Sequence, residues 1–163
     1  MTTESEIVTQ LLYGDSFSKL RRKGKWIQIK NNMDNYKGYI QNKNFSSDQK
    51  NTHKVCSLFA VLYSKPEKKY KINKKLSYGS KIKIIQKKNG FCKFDNFWIH
   101  KKDIKNKKIS FKNPFEDIKK FINVKYKWGG KFFNGIDCSG LVQVLLNYNN
   151  KFCPRDAKDQ MKY

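Results

Sequence analysis

Cys138 stands in GIDCSG (135–140), between Asp137 and Ser139, with Gly135 and Gly140 at the ends of the stretch. A cysteine attacks as its thiolate, and the free N–H groups at a helix N-terminus favour that form. The residues behind it have helical spacing: Leu141, Val144, Leu145 and Tyr148 fall at i, i+3, i+4 and i+7. The chemistry on offer is nucleophilic attack by Cys138 from the first turn of a helix. The competing reading is a small residue buried in a tight turn, and "DCSG" alone is too short to decide. Such a nucleophile needs a base. The two histidines, His53 and His100, both lie upstream. Cys56, Cys92 and Cys153 form no C-x-x-C pair and have no histidine at metal spacing. They read as small core residues, so no metal, other cofactor or disulfide is expected.

The elements that must position Cys138 come in three segments. In residues 1–47, SFSKLRRKGKWIQIKNN reads as strand, turn at Lys23-Gly24-Lys25, strand, and NMDNYKGYIQ adds a turn and a third strand. Residues 52–106 repeat that plan. Tyr13-Gly14-Asp15 recurs as Tyr78-Gly79-Ser80, and Asn89-Gly90 repeats the turn before Trp26. KIKII (81–85) is expected as a strand with Ile82 and Ile84 on one face, and YSKPEKKYKINKK as an exposed loop. Residues 113–163 open with NPFEDIKKFINV, expected as a helix capped by Asn113 with Pro114 at its first position. Four glycines then lead to the Cys138 helix, which Asn149, Asn150 and Pro154 end. The fold class expected is multidomain: two small all-β barrels followed by a helical segment.

The chain has 163 residues, and hydrophobic residues make up 38% of it, which excludes a disordered polymer. No stretch is apolar enough to span a bilayer, and MTTESEIVTQ lacks the features of a signal peptide, so a cytoplasmic location is expected. The formal charge is +23, yet Arg21, Arg22 and Arg155 are the only arginines. Lysines spread along the chain imply weak attraction to polyanions, not specific nucleic-acid readout, and no membrane partner.

YKWGGKFFNGIDCSGLVQ (126–143) resembles the Y-x-W-G-G…G-x-D-C-S-G-L-V-Q signature of the NlpC/P60 cysteine peptidases, papain-like enzymes that cut bacterial cell-wall peptides. PRDAKDQ (154–160) resembles the segment that follows the cysteine helix in that family. The upstream repeats resemble the bacterial SH3-like domains of one branch, the γ-D-glutamyl-L-diamino acid endopeptidases (dipeptidyl-peptidase VI). TQLLYGD and GYKGYI carry the likeness to the first of these domains.

The resemblance implies the following roles. Cys138 attacks the amide after γ-D-glutamate. Tyr126 stands near the oxyanion and stabilises developing charge. Asp137 and Ser139 help bind the free amine of the substrate, or Asp137 caps the helix. Asp15, with Tyr36 or Tyr39, comes from the first SH3-like domain to the same amine. Trp128, Gly129 and Gly130 are structural, and Arg155 and Asp156 form an internal ion pair. The partner is a short murein peptide, L-Ala-γ-D-Glu-diamino acid. In the family the catalytic histidine follows the cysteine by several dozen residues, whereas Tyr163 is twenty-five residues past Cys138. The expectation is a truncated peptidase in which residues 113–163, by the resemblance a partial papain-like α+β domain, are poorly packed, catalytically dead, or both. The alternative is a non-catalytic SH3-like module that binds cell-wall fragments.

Overall fold

The computed structural model describes residues 5–46 and 50–163, and the architecture is mostly β with few helices. The first segment is a three-stranded antiparallel meander, β1 (Phe17–Lys23), β2 (Trp26–Asn31) and β3 (Lys37–Gln41), in the order β1-β2-β3. Gly24, at φ +57°, makes the β1–β2 turn where the sequence places it. Of the three, β2 alternates buried and half-buried residues and brings Ile27 and Ile29 inward. So little apolar area cannot give this segment a core of its own.

The second segment holds β4 (His53–Val55), β5 (Phe59–Tyr63), β6 (Lys71–Ser77), β7 (Lys81–Ile82), β8 (Gln86–Lys88), β9 (Phe91–Phe94), β10 (Phe97–His100) and β11 (Ile104–Asn106). They form a five-stranded sheet, β6-β5-β10-β9-β8, and a three-stranded sheet, β11-β4-β7. Val55, Ala60, Leu62, Ile82, Cys92, Phe94 and Ile99 fill the space between. The sheets here and in the first segment stay open, so the expected closed barrels are not found. The internal repeat is real at the backbone level. Gly14 and Gly79 have φ +83° and +81°, and each turn closes the same way: Asp15 N–H to the Leu12 carbonyl at 3.0 Å, Ser80 N–H to the Ser77 carbonyl at 3.1 Å.

Two local expectations are corrected. The stretch 63–75 is not a loop, because its second half is β6, antiparallel to β5. As an edge strand β6 tolerates lysine, which discourages further pairing, and the Lys74 and Lys75 ammoniums lie over the Phe97 and Phe59 rings at 4.8 and 4.3 Å. The strand expected over 81–85 stops at Ile82, although Ile84 still packs on the same core.

In the third segment, the helix expected from Asn113 is a run of turns with a single 3₁₀ turn, Ile118–Phe121. Asn113 does accept from the Phe115 N–H at 2.9 Å, but Ile118 and Ile122 stay exposed, so no apolar face forms to support an α-helix. A short hairpin, β12 (Lys131–Phe132) with β13 (Gly135–Ile136), leads into α1 (Cys138–Tyr148), and α2 (Ala157–Gln160) follows. Poor packing, one of the alternatives expected for residues 113–163, is not what is found. Val144, Leu145 and Tyr148 of α1 are buried with Leu12, Cys56, Tyr78, Phe121 and Ile136. This second core draws on all three segments, and each of those α1 side chains contributes about 1.5–3 kcal/mol by burial. Tyr148 stacks on Tyr78 at 4.4 Å between ring centroids. Lys54, 2% exposed, donates to the Tyr148 and Ile109 carbonyls and so closes the C-terminal end of α1. Among the described residues no helix is long and apolar enough to cross a membrane.

Candidate active site

The site is built around a tight glycine turn. Gly129 has φ +69°, and a Cβ there would lie 1.9 Å from the Ile7 carbonyl oxygen. The N-terminal arm therefore runs directly over the turn. Two further bonds fix the arm: the Lys131 N–H donates to Gln10 Oε1 at 2.8 Å, and Arg155 Nε donates to Thr9 Oγ1 at 2.9 Å. A Cβ on Gly130 would sit 2.5 Å from the Gly135 carbonyl, so the hairpin closes only without a side chain. Gly129 and Gly130 are structural, as expected, whereas Trp128 is 61% exposed and packs little.

Asp137 is the N-cap of α1, with Oδ1 accepting from the Gly140 N–H at 2.6 Å and Oδ2 from the Gly129 N–H at 2.8 Å. Arg155 grips the same carboxylate, Nη1 to Oδ1 at 3.1 Å and Nη2 to Oδ2 at 2.6 Å. Ser139 Oγ accepts from Arg155 at 2.7 Å and donates to Asp137 at 3.3 Å. All three side chains are buried. Burial pushes the Asp137 carboxyl up, but Arg155 and the two backbone donors outweigh it and hold the group below its ordinary value. The expected Arg155–Asp156 pair is thus replaced by Arg155–Asp137. The oxygens of Asp137 and Ser139 are taken up within the chain, Asp137 as the cap of α1.

Cys138 is the first residue of α1 and is exposed, whereas Cys56, Cys92 and Cys153 are buried. Beneath it Gln160 Nε2 donates to the Ser139 and Pro154 carbonyls, both at 2.9 Å, and so ties the following loop to the first turn of the helix. Tyr126 lies one strand over from β13, bridged in parallel to Ile136, and is 66% exposed. Cys138 and Tyr126 therefore both face solvent, from adjacent pieces of backbone.

The other candidates separate. Tyr36 faces Asp156; burial and that carboxylate raise its pKa above the ordinary phenol value. The Asp15 carboxylate accepts from the Leu12 N–H at 2.9 Å and lies 3.5 Å from Lys81 Nζ, and its side chain is 6% exposed. Tyr39 is exposed on β3, opposite Gln28. His53 bonds Thr52 at 2.9 Å on β4, and His100 ends β10, where it accepts from the Lys102 N–H at 3.2 Å. Neither histidine is hydrogen-bonded to Cys138 among the described residues. Sequence reasoning missed Asp156 as a neighbour of Tyr36 and Thr9 as a neighbour of Arg155. The PRD motif marked the loop but not its partners.

Residues 123–163 match the NlpC/P60 family, and residues 2–45 match the bacterial dipeptidyl-peptidase SH3 domain. In these two segments the chain is similar to NlpC/P60 proteins that carry an SH3-type domain. It is similar to the gamma-D-glutamyl-L-lysine dipeptidyl-peptidase of Bacillus subtilis strain 168, at 25% identity over 99% of this chain and 60% of that protein. A crystal structure of an NlpC/P60 family protein from Bacillus cereus has the same fold, with a TM-score of 0.80, at 20% identity over 95% of this chain and 59% of that one. The chain thus spans about three-fifths of the length of these relatives.

Proposed function

We propose that the chain is part of a cysteine peptidase that cleaves the bond between γ-D-glutamate and a diamino acid in short murein peptides with a free N-terminal amine. The observation that carries this reading is the exposure of Cys138 at the first position of α1, next to a buried cap that fixes the direction of the helix. In this reading Cys138 attacks the amide carbon, the C–N bond breaks as the amine leaves with the proton given up by the thiol, and water then hydrolyses the thioester to release the γ-glutamyl product and restore the thiol. The Tyr126 hydroxyl donates to the developing oxyanion. Tyr36, from the β meander, and Asp156, from the loop after Arg155, receive the substrate's amine. Asp156 takes the part that the sequence assigned to Asp15. Asp137 and Ser139 orient Cys138 through the cap.

The test is hydrolysis of L-Ala-γ-D-Glu-diaminopimelate, followed by release of diaminopimelate. Turnover by the wild-type chain, or by that chain joined to the rest of the length its relatives have, with none from Cys138→Ala, supports the reading. Equal rates in the Cys138→Ala variant would overturn it. A second reading is favoured by one observation, the engagement of His53 and His100 in their own strands. In it the chain binds murein peptide without cutting it, and binding survives Cys138→Ala.

A further inference from the structure

Two adjoining hollows, of about 500 and 830 Å³, lie along the junction of the first and second β segments and share Gly14, Asp15, Ser16 and Asn51. The junction is pinned. The Lys81 N–H donates to the Tyr13 carbonyl at 2.8 Å, and Gly14 passes so close to Lys81 that a Cβ would lie 2.1 Å from its carbonyl oxygen. None of the residues from 126 to 140 lines either hollow, so this cleft is separate from the surroundings of Cys138.

The cleft is lopsided in charge. Lys19, Lys50, Lys81, Lys83 and Lys107 line it, against Asp15 and Asp95. Both acids are spoken for, Asp15 by Lys81 and the Leu12 N–H, and Asp95 by the Tyr13 hydroxyl. Lys83 and Lys107 are exposed and have no carboxylate within ion-pair distance among the described residues. At one end of the cleft stand rings: Tyr13, Phe17 and Phe45, the last two edge to face at 5.1 Å. Lysines converging on a concave junction concentrate positive potential where the low-dielectric walls focus it.

We propose that this cleft is a binding site for a small ligand bearing a diphosphate-like anion and a ring, the anion held by Lys83 and Lys107 and the ring against Phe17 and Phe45.

Calorimetric titration with inorganic pyrophosphate and with ADP, at about 150 mM salt to screen diffuse attraction, tests this. Each should bind saturably at one site per chain, ADP the tighter. Lys83→Gln/Lys107→Gln should weaken both by about tenfold or more, the scale of two charge-assisted bonds lost. Phe45→Ala should erase the advantage of ADP. Lys74→Gln/Lys75→Gln, on the β6 edge, should leave both titrations within about twofold, and circular dichroism identifies any variant that has not folded. Three results would overturn the proposal: no saturable site, equal weakening by the β6 variant, or ADP no tighter than pyrophosphate.

Discussion

Arg155 and Asp137, eighteen residues apart in sequence, meet through two parallel N–H···O contacts of 3.1 and 2.6 Å with both side chains buried. The pair joins the glycine turn, the first turn of α1 and the N-terminal arm, because the carboxylate also holds Gly129 and Gly140 and the guanidinium also holds Thr9.

Removing one member leaves the other charge buried without a partner. Arg155→Met should therefore destabilise the chain by about 3–5 kcal/mol. Urea unfolding followed by circular dichroism measures it, and a loss under 1 kcal/mol would show the pair to be energetically idle.

The pH dependence has a defined sign. Asp137 is held below its ordinary pKa, so the folded chain gives up protons more readily there than the unfolded one. The stability this confers is fully present above the unfolded value of about 4 and is lost as pH falls from there through the lower folded-state value. Asp137→Asn should flatten that part of the curve. An unchanged acid limb in the variant would place the loss in other carboxylates.

Lys54 works in the opposite pH range. Burial first, then Lys81 and Lys105, lowers its pKa from 10.5 to about 8. Between those values the unfolded chain binds more protons, so this residue makes stability rise with pH across the window. The difference between wild type and Lys54→Met in unfolding free energy should widen in favour of wild type from pH 8 to 10.5. A constant difference would mean that Lys54 does not titrate there.

Gly129 and Gly24 both have positive φ, but a Cβ at Gly24 meets nothing within 4 Å. Gly24→Ala should cost about 1 kcal/mol, the left-handed strain alone. Gly129→Ala should cost clearly more and release the arm at Ile7, read as faster proteolytic nicking near residues 7–12. Equal costs would mean that the arm yields without penalty.

Under native conditions, iodoacetamide should modify Cys138 first, because the other three thiols are buried. Peptide mass spectrometry reads the order, and simultaneous modification of Cys56, Cys92 or Cys153 would contradict the packing described.

Local signals in the sequence carried over well. The Lys23-Gly24-Lys25 turn, the helix behind Cys138 and its Asp137 cap are set by neighbours within a few residues, so their patterns survive folding. The β6 strand was hidden because an edge strand spares its lysines from burial and so reads as a loop. Asn113 does cap a turn, but helix growth there needed an apolar face that the tertiary structure never supplies. Asp156 seemed the natural partner of Arg155 because it is adjacent, yet neighbouring side chains diverge, and the guanidinium reaches back across the loop instead. Asp15 read as a ligand contact, but its carboxylate closes its own turn and binds Lys81, a partner 66 residues away that no local pattern announces.

The arm at residues 7–12 has one more consequence. Its bonds to Lys131 and Arg155 span 121 and 146 residues. The arm is therefore synthesised well before the surface it docks on. The β meander can form early, but the clasp around Cys138 must wait until Arg155 has been made, and until then Leu12 is exposed to chaperones and proteases.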